Sequence, residues 1–164
     1  MMIFKEAEQE DVESLIEFLL KAWKEAGPGA LGWTGATEEN VRHIASRGFL
    51  SNLLERDDTH VFIALNDGQV VGFSSNSRID DELVELSGIV VLESMTGVGI
   101  GGRLLEHSIE AAKDDRYTKM IVKTESFNER AVNFYMRNGF RREATIEEEV
   151  EGSNVELVKL VLPL

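Results

Sequence analysis

The chemically richest part of this sequence is a set of closely spaced glycines, Gly97, Gly99, Gly101 and Gly102. They follow a run of apolar, β-branched residues and precede an apolar helical pattern. Glycines let consecutive backbone N–H groups turn toward one point, where the N-terminus of the next helix adds positive potential. The segment 97–102 therefore predicts a diphosphate-binding loop, the alternative being a glycine-rich turn that serves only tight packing.

The identity of the phosphate ligand is a separate question. No Lys-Ser/Thr pair follows the glycines, which excludes a P-loop. The spacing Gly97-x-Gly99-x-x-Gly102, with Glu125 after the next strand, matches the fingerprint of dinucleotide-binding proteins. The context does not match, because Ser94-Met95-Thr96 separates the strand from the first glycine and too little chain follows for a second nucleotide-binding half.

A second motif lies downstream, and the two together resemble the GNAT superfamily of N-acetyltransferases. The family signature Gln/Arg-x-x-Gly-x-Gly/Ala is matched by residues 96–101, with Thr96 in place of the Gln/Arg. The second motif, Asn-x-x-Ala-x-x-x-Tyr followed by Gly-Phe, is matched by residues 128–135 and Gly139-Phe140. Because Thr96 removes one phosphate-facing side chain, Arg103 is a candidate to supply the positive charge.

The resemblance implies an acetyl-CoA-dependent enzyme whose fourth and fifth strands splay apart and admit the pantetheine arm. Strand four would offer its backbone to that arm, and an amide near Val91 would polarise the thioester carbonyl. Asn128 would contact the arm, and Tyr135 would protonate the leaving thiolate. The alternatives are that Asn128 is only a helix N-cap and Tyr135 only a core aromatic. The coenzyme-binding residues implied in this way are Ile89, Val90, Val91, Gly97, Val98, Gly99, Ile100, Gly101, Gly102 and Asn128.

The general base is expected to be Glu85. Alternation along the predicted strand Leu83–Leu92 places Glu85, Ser87, Ile89 and Val91 on one face. A carboxylate on a mostly apolar strand beside a cleft is suited to base chemistry. The alternative is that Glu85 lies at the wet end of the strand.

The family resemblance supports the same residue. In the histone-acetylating branch a glutamate lies eleven residues before the signature, as Glu85 lies before Thr96. The branch that acetylates protein N-termini has its base five residues before the Asn, where this chain has Lys123. Glu125 and a water relay are the other candidates.

The acceptor is expected to be a cationic amine, such as a polyamine or a protein lysine. With 30 acidic against 17 basic residues the net charge is −13, which argues against a nucleic-acid partner and favours cations. Trp23, Trp33 and Asp80-Asp81-Glu82 are the candidate acceptor contacts, because aromatic and carboxylate groups suit an ammonium. The histidines are spread over different elements, so no metal site is assigned.

These residues need a mixed α/β fold to position them. The patterns predict a mostly antiparallel central sheet flanked by helices, with a helix over Asn128–Asn138 and a closing hairpin. Ile3 is expected to point into the core, and Gly48 to separate two short helices after a loop at 27–36. A length of 164 residues, 43% of them hydrophobic, predicts one domain over residues 1–164.

Composition bounds the remaining possibilities. The absence of cysteine excludes disulfides and thiolate metal sites. No apolar run approaches the roughly 20 residues of a membrane span, and the N-terminus turns acidic before a signal-peptide core can form. A cytoplasmic protein without a membrane partner is therefore expected, and apolar residues exposed in the final hairpin would favour a homodimer.

Three functions remain open from the sequence. The leading one is transfer of the acetyl group of acetyl-CoA to a primary amine by direct attack in a ternary complex, without a metal. The second is a CoA-binding sensor or partner-binding module without turnover. The third, less favoured, is a dinucleotide-dependent oxidoreductase.

Overall fold

The computed structural model describes residues 1–26, 37–150 and 152–164, with Val150 described by its backbone alone. The predicted loop at 27–36, including Trp33, lies outside the described residues. Short 3₁₀ turns occur at Gln9–Asp11 and Glu93–Met95. The main elements in the described ranges are β1 (Met2–Glu6), α1 (Val12–Ala26), α2 (Glu38–Ile44), α3 (Arg47–Glu55), β2 (Thr59–Asn66), β3 (Gln69–Arg78), β4 (Leu83–Val91), α4 (Ile100–Asp114), β5 (Lys119–Glu125), α5 (Glu129–Arg137), β6 (Arg141–Val150) and β7 (Ser153–Pro163).

The strands form one mixed sheet in the order β1-β2-β3-β4-β5-β7-β6. Each neighbouring pair is antiparallel except β4 and β5, which run parallel. The predicted mixed, mostly antiparallel sheet with flanking helices is confirmed. A doubly wound dinucleotide fold needs a mostly parallel sheet, and the described strands do not form one.

Helix α4 packs directly on the centre of the sheet. A Cβ at Gly72 of β3 would lie 2.9 Å from Leu104 and 3.0 Å from Ile100, so only glycine allows this close approach without adjustment. Ser108 of α4 is buried but hydrogen-bonded, since its Oγ lies 3.0 Å from Ser74 Oγ and its carbonyl accepts from Asn76 Nδ2 at 3.0 Å. We call this side of the sheet the α4 face.

A β-bulge in β4 changes which side chains share a face. Leu86 pairs with Asn76 and Gly88 with Ser75, so Ser87 is an extra residue. One inserted residue reverses the alternation along a strand. The prediction that Glu85 and Ser87 share a face with Ile89 and Val91 is therefore wrong. Ile89 and Val91 lie on the α4 face, and Glu85 lies on the opposite face.

Two further local predictions are wrong. Gly48 does not separate two helices but lies in the first turn of α3, because Ser46 caps that helix by accepting from the Phe49 N–H. Ile3 is 48% exposed, since β1 is an edge strand and α4 covers its other face, where Phe4 stacks on His107.

The final hairpin shows less exposed apolar surface than expected. Leaving aside Val150, whose side chain is not described, none of its large apolar side chains in the described ranges is exposed. The feature predicted to favour a homodimer is thus missing from the described part of the hairpin. In the described ranges, no helix is both long and apolar enough to cross a membrane.

Candidate active site

The parallel strands β4 and β5 pair over only three residues each. Leu83–Glu85 pairs with Lys119–Ile121, after which the two strands part. Beyond that point β4 stays paired with β3 up to Val91, and β5 stays paired with β7 up to Glu125. Two strand edges therefore face each other across an open cleft, and their free backbone groups can pair with an extended ligand.

The register shows which backbone groups of β4 point into the cleft. The Leu92 N–H donates to the Val71 carbonyl at 3.0 Å, so this end of β4 bonds to β3 through every second residue. By that alternation Val90 directs its N–H and C=O toward β3. Ile89 and Val91 direct theirs toward the cleft, and they are the two β4 residues suited to pair with a bound arm.

The glycine loop leads from β4 into α4 with its N–H groups open. Gly97 and Gly99 have φ of 82° and 88°, in the left-handed region that favours glycine. Among the described residues, the N–H groups of 97–102 have no hydrogen-bond acceptor. A Cβ at Gly97, Gly99 or Gly102 would meet nothing within 4 Å, so these glycines do not serve tight packing. The loop fits the predicted diphosphate cradle.

A cavity of about 430 Å³ joins this loop to the end of β4 and to α5. Of the predicted coenzyme-binding residues, five line it: Val91, Gly97, Gly99, Gly101 and Gly102. The other five do not: Ile89, Val90 and Ile100 are buried, Val98 is 69% exposed, and Asn128 begins α5. The remaining lining residues are Glu93, Met95, Thr96, Arg130, Phe134, Arg137 and Asn138.

The positive charge of the cavity comes from α5 and not from Arg103. The Arg103 guanidinium lies 4.8 Å from the centre of the Phe4 ring and 3.7 Å from Glu106, away from the cavity. Arg130 and Arg137 line the cavity instead. Sequence reasoning missed both, although their spacing of seven residues, two helical turns, places them on one side of α5.

The side chain of Thr96 does not replace the missing Gln or Arg of the signature. Its Oγ1 donates to the Glu93 carbonyl at 2.9 Å and so stabilises the turn before the loop. Glu93 in turn accepts from Arg130 Nη1 at 3.3 and 3.4 Å, joining this turn to α5.

Tyr135 is fully buried, with its ring edge-on to Phe134 and Phe140. Its Oη has no hydrogen-bond partner among the described residues. A buried hydroxyl without a partner is costly, and Tyr135 itself is not among the residues that line the cavity, although its neighbour Phe134 is. Burial raises the pKa of Tyr135, so it stays protonated and able to donate.

Asn128 acts as the N-cap of α5, as one of its two predicted interpretations had it. Its Oδ1 accepts from the Ala131 N–H at 3.2 Å. This hydrogen bond sets where α5 begins and therefore how its arginines and Tyr135 are placed.

Glu85 lies where β4 and β5 diverge, on the face opposite α4. Its side chain is 27% exposed, and Oε2 is 3.7 Å from the Nζ of Lys123. The same Nζ donates to Glu148 of β6 at 2.7 Å. The alternative base, Glu125, is buried at the end of β5. Within the described ranges, no group of three or more His, Asp or Glu side chains is arranged to hold a metal ion.

Comparison with known proteins places this architecture. The model of the acetyltransferase (GNAT) family matches residues 13–140. An uncharacterized N-acetyltransferase of Mycobacterium tuberculosis is 31% identical over 85 residues, which is 52% of this chain and 54% of the relative. The chain thus spans about half the length of the curated relatives it matches.

Solved structures agree on the fold. The match to the PaiA N-acetyltransferase of Thermoplasma acidophilum, in complex with coenzyme A, includes 100% of this chain and 99% of that protein, at 23% identity and a TM-score of 0.78. The match to a GNAT acetyltransferase of Elizabethkingia anophelis with acetyl-CoA bound includes 99% of this chain and 98% of that protein, at 18% identity and a TM-score of 0.65. The splayed strands, the glycine loop and the family match over residues 13–140 lead to one conclusion: this chain belongs to the GNAT family of acetyltransferases.

Proposed function

We propose that this protein transfers the acetyl group of acetyl-CoA to a primary amine, by direct attack of the amine in a ternary complex. The observation that carries the proposal is the three-residue pairing of β4 with β5, beyond which the strands part beside an open glycine loop. Family membership supports the reaction type, since acetyl-CoA is the cosubstrate of GNAT acetyltransferases.

The donor half of the proposal assigns the pantetheine arm to the cleft and the diphosphate to the loop. Ile89 and Val91 would pair with the arm through their backbone groups, while Val90 holds β4 to β3. The N–H groups of 97–102, those of Val98 and Ile100 included, would hold the diphosphate, with Arg130 and Arg137 adding charge. Asn128 would act on the coenzyme through its cap of α5.

The reaction requires that two protons leave the nitrogen and that one reaches the sulfur. Glu85 accepts the first proton from the acceptor ammonium and later releases it to solvent, and the freed amine forms the new C–N bond as the C–S bond of the thioester breaks. The nitrogen loses its second proton to solvent, and Tyr135 donates its phenolic proton to the departing sulfur and is reprotonated from solvent. The backbone near Val91 stabilises negative charge that develops on the carbonyl oxygen. The products are an N-acetyl amine and CoA.

The acceptor half of the proposal is a cationic amine of the polyamine or lysine type. The partly exposed carboxylates of Glu85 and Glu148 lie on the face of the sheet opposite α4, in a chain of net charge −13. Such a surface attracts cations and raises their local concentration. We also propose that residues 1–164 act as one domain and that the protein is cytoplasmic. A homodimer stays a prediction, for light scattering to test.

Ligand binding is the first test. Thermal unfolding of the full chain is measured alone and with acetyl-CoA, CoA or NAD. A ligand at 100 times its dissociation constant adds about 2.7 kcal/mol to the free energy of unfolding, which raises the midpoint by a few degrees. We expect a shift with both CoA ligands and none with NAD. A shift with NAD alone would support the oxidoreductase, and no shift would leave the glycine loop without a ligand.

Turnover is the second test. Release of CoA from acetyl-CoA is followed with spermidine, a lysine peptide and, as a contrast, the anionic amine glutamate. We expect release with a cationic amine, and a loss of about 10²–10⁴ in rate for Glu85→Gln. Glu125→Gln tests the alternative base in the same assay. Binding without release with any amine would instead indicate a CoA-binding module without turnover.

A further inference from the structure

Three charged side chains from three different strands meet beside the cleft. Lys123 of β5 lies between two carboxylates, 2.7 Å from Glu148 Oε1 and 3.7 Å from Glu85 Oε2. The side chains of Lys123 and Glu85 are only 29% and 27% exposed, so water screens their interaction less than that of a surface pair.

The position of this trio is set by the sheet. Glu85 and Ile121 form the last pair of the β4–β5 ladder, and Lys123 follows two residues later, on the same face. The ammonium therefore reaches back toward Glu85 from the strand that has begun to diverge. Glu148 comes from β6, beyond β7, and approaches the same ammonium from the other side.

The other groups near Glu85 can be named from the register. On β3, Ser77 pairs with Glu85, and on β5 the ladder begins at Lys119 opposite Leu83. On β7, Lys159 pairs with Lys123, and its ammonium lies 3.4 Å from Glu143 of β6. Among these described side chains, the Lys123 ammonium is the cation within 4 Å of Glu85.

We propose that Lys123 is a positioning residue for the reaction, which holds Glu85 as an oriented carboxylate, and that Glu148 competes with Glu85 for the same ammonium. The proposal rests on the base role given to Glu85 above. An ammonium beside a partly buried carboxylate limits the directions in which that side chain can point, so Glu85 is kept in one orientation for the proton transfer. Lys123 keeps its own proton throughout, and the proton of the acceptor moves to Glu85.

The ionisation of Lys123 supports this role. Its hydrogen bond to Glu148 raises the pKa of Lys123, and the charge of Glu85 acts in the same direction while burial opposes them. The lysine is therefore a permanent cation at physiological pH and a poor nucleophile. It is suited to hold Glu85 and not to accept the acetyl group itself.

The first test is the titration of the Lys123 ammonium, followed by NMR of the full chain labelled with ε-¹³C lysine and assigned by loss of one signal in Lys123→Gln. Glu148→Gln and Glu85→Gln are each expected to lower the Lys123 midpoint, because each removes a carboxylate that favours the charged form. The second test is the rate of CoA release. Lys123→Gln is expected to lower kcat by about tenfold or more at an unchanged KM for acetyl-CoA, because the base is then no longer oriented, and Lys123→Arg, which keeps the charge, is expected to restore most of the rate.

Lys159→Gln is the matched control, because it removes an ammonium with its own carboxylate partner on the adjacent strand. It should lower kcat far less than Lys123→Gln does. Equal losses of kcat in these two variants, or an unchanged kcat in Lys123→Gln, would overturn the proposal, since the effect would then be that of net charge or absent.

A rate measurement separates this inference from the proposed function. With spermidine as the probe amine, the kcat values of Lys123→Gln and Glu85→Gln are compared. Full kcat in Lys123→Gln, with Glu85→Gln inactive, would overturn the positioning role alone. Full activity of Glu85→Gln would remove Glu85 as base, and no turnover of spermidine by the wild type would contradict the acceptor proposed. The NMR titration decides the coupling to Lys123 in either case.

Discussion

Arg130 of α5 donates from one nitrogen to both carboxylate oxygens of Glu93, at 3.3 and 3.4 Å, and both residues line the same cavity. The ion pair joins the turn after β4 to α5 at the place proposed for the coenzyme. A diphosphate bound there would compete with Glu93 for Arg130, and the Glu93 carboxylate would repel its phosphates. The Glu93–Arg130 ion pair would therefore oppose binding of acetyl-CoA.

Substitutions of Glu93 and of Arg130 should therefore have opposite effects on the affinity for CoA. Glu93→Gln should tighten CoA binding about fivefold, and Arg130→Gln should weaken it by a similar factor, since an exposed charge interaction contributes up to about 1 kcal/mol. Calorimetric titration with CoA measures both. Glu38→Gln breaks a similar pair with Arg42 on α2 and serves as the control. Weaker binding by both cavity variants would contradict the competition and indicate that the intact pair shapes the site.

Tyr135→Phe separates catalysis from stability. The change removes an Oη that has no partner among the described residues, so the free energy of unfolding should stay equal or rise. The rate of CoA release should fall by about 10²–10⁴, because no group then protonates the sulfur. Tyr117→Phe, the other tyrosine of the chain, should leave the rate unchanged. A Tyr135→Phe protein with full rate and lower stability would show that Tyr135 is only a core aromatic residue.

Gly102→Ala tests the cradle without straining the fold. Gly102 lies in the first turn of α4, without a positive φ, and a Cβ there meets no atom within 4 Å. The free energy of unfolding should stay equal or rise by up to about 1 kcal/mol, as alanine favours helix. Affinity for CoA should fall at least tenfold, because the methyl group would occupy the space proposed for the diphosphate.

Gly48→Ala offers the matched control for this prediction. Gly48 lies in the first turn of α3, likewise with no neighbour within 4 Å of a Cβ. It should show the same small gain in stability with unchanged CoA affinity. Unchanged affinity in Gly102→Ala as well would mean that the diphosphate does not approach α4 at this residue.

His60 does not line the cavity, and its contacts predict that the stability of the protein depends on pH. Its Nδ1 lies 2.5 Å from Glu6 of β1 and its Nε2 lies 2.7 Å from Asp115 after α4. Burial lowers the pKa of His60, but the hydrogen bonds and charges of Glu6 and Asp115 outweigh it, and the net pKa is raised above 6.5. The stabilisation is therefore full below about pH 6.5 and is lost as pH rises through the raised folded-state pKa.

Urea unfolding between pH 6 and 9 checks this prediction. The free energy of unfolding of the wild type should fall as the pH rises above about 6.5, and His60→Gln should lack this component. His43→Gln, at an exposed position on α2, is the control and should keep the wild-type dependence. Parallel pH profiles for the wild type and His60→Gln would remove the role assigned to the two carboxylates.

Much of this protein was determined by sequence alone. The glycines of 97–102, and the motif from Asn128 to Phe140, are local signals, because φ in the left-handed region and a helix cap depend on neighbours in the chain. They were sufficient to predict the family, which is confirmed, and a diphosphate loop, which stays a prediction. The apolar alternation of the strands predicted the mixed sheet, because each strand carries apolar side chains at every second residue, on the face that the sheet buries.

The tertiary structure decided what depends on contacts between distant segments. The bulge at Ser87 appears only in the pairing of β4 with β3, and it moves Glu85 to the face opposite Ile89. The charge of the cavity comes from Arg130 and Arg137 because α5 packs beside the loop, while Phe4 and Glu106 hold Arg103 elsewhere. The Glu85–Lys123–Glu148 trio requires three strands that are far apart in sequence. Spacing along a chain carries no information on such neighbours, since strand order and register are set by the packing of the whole sheet.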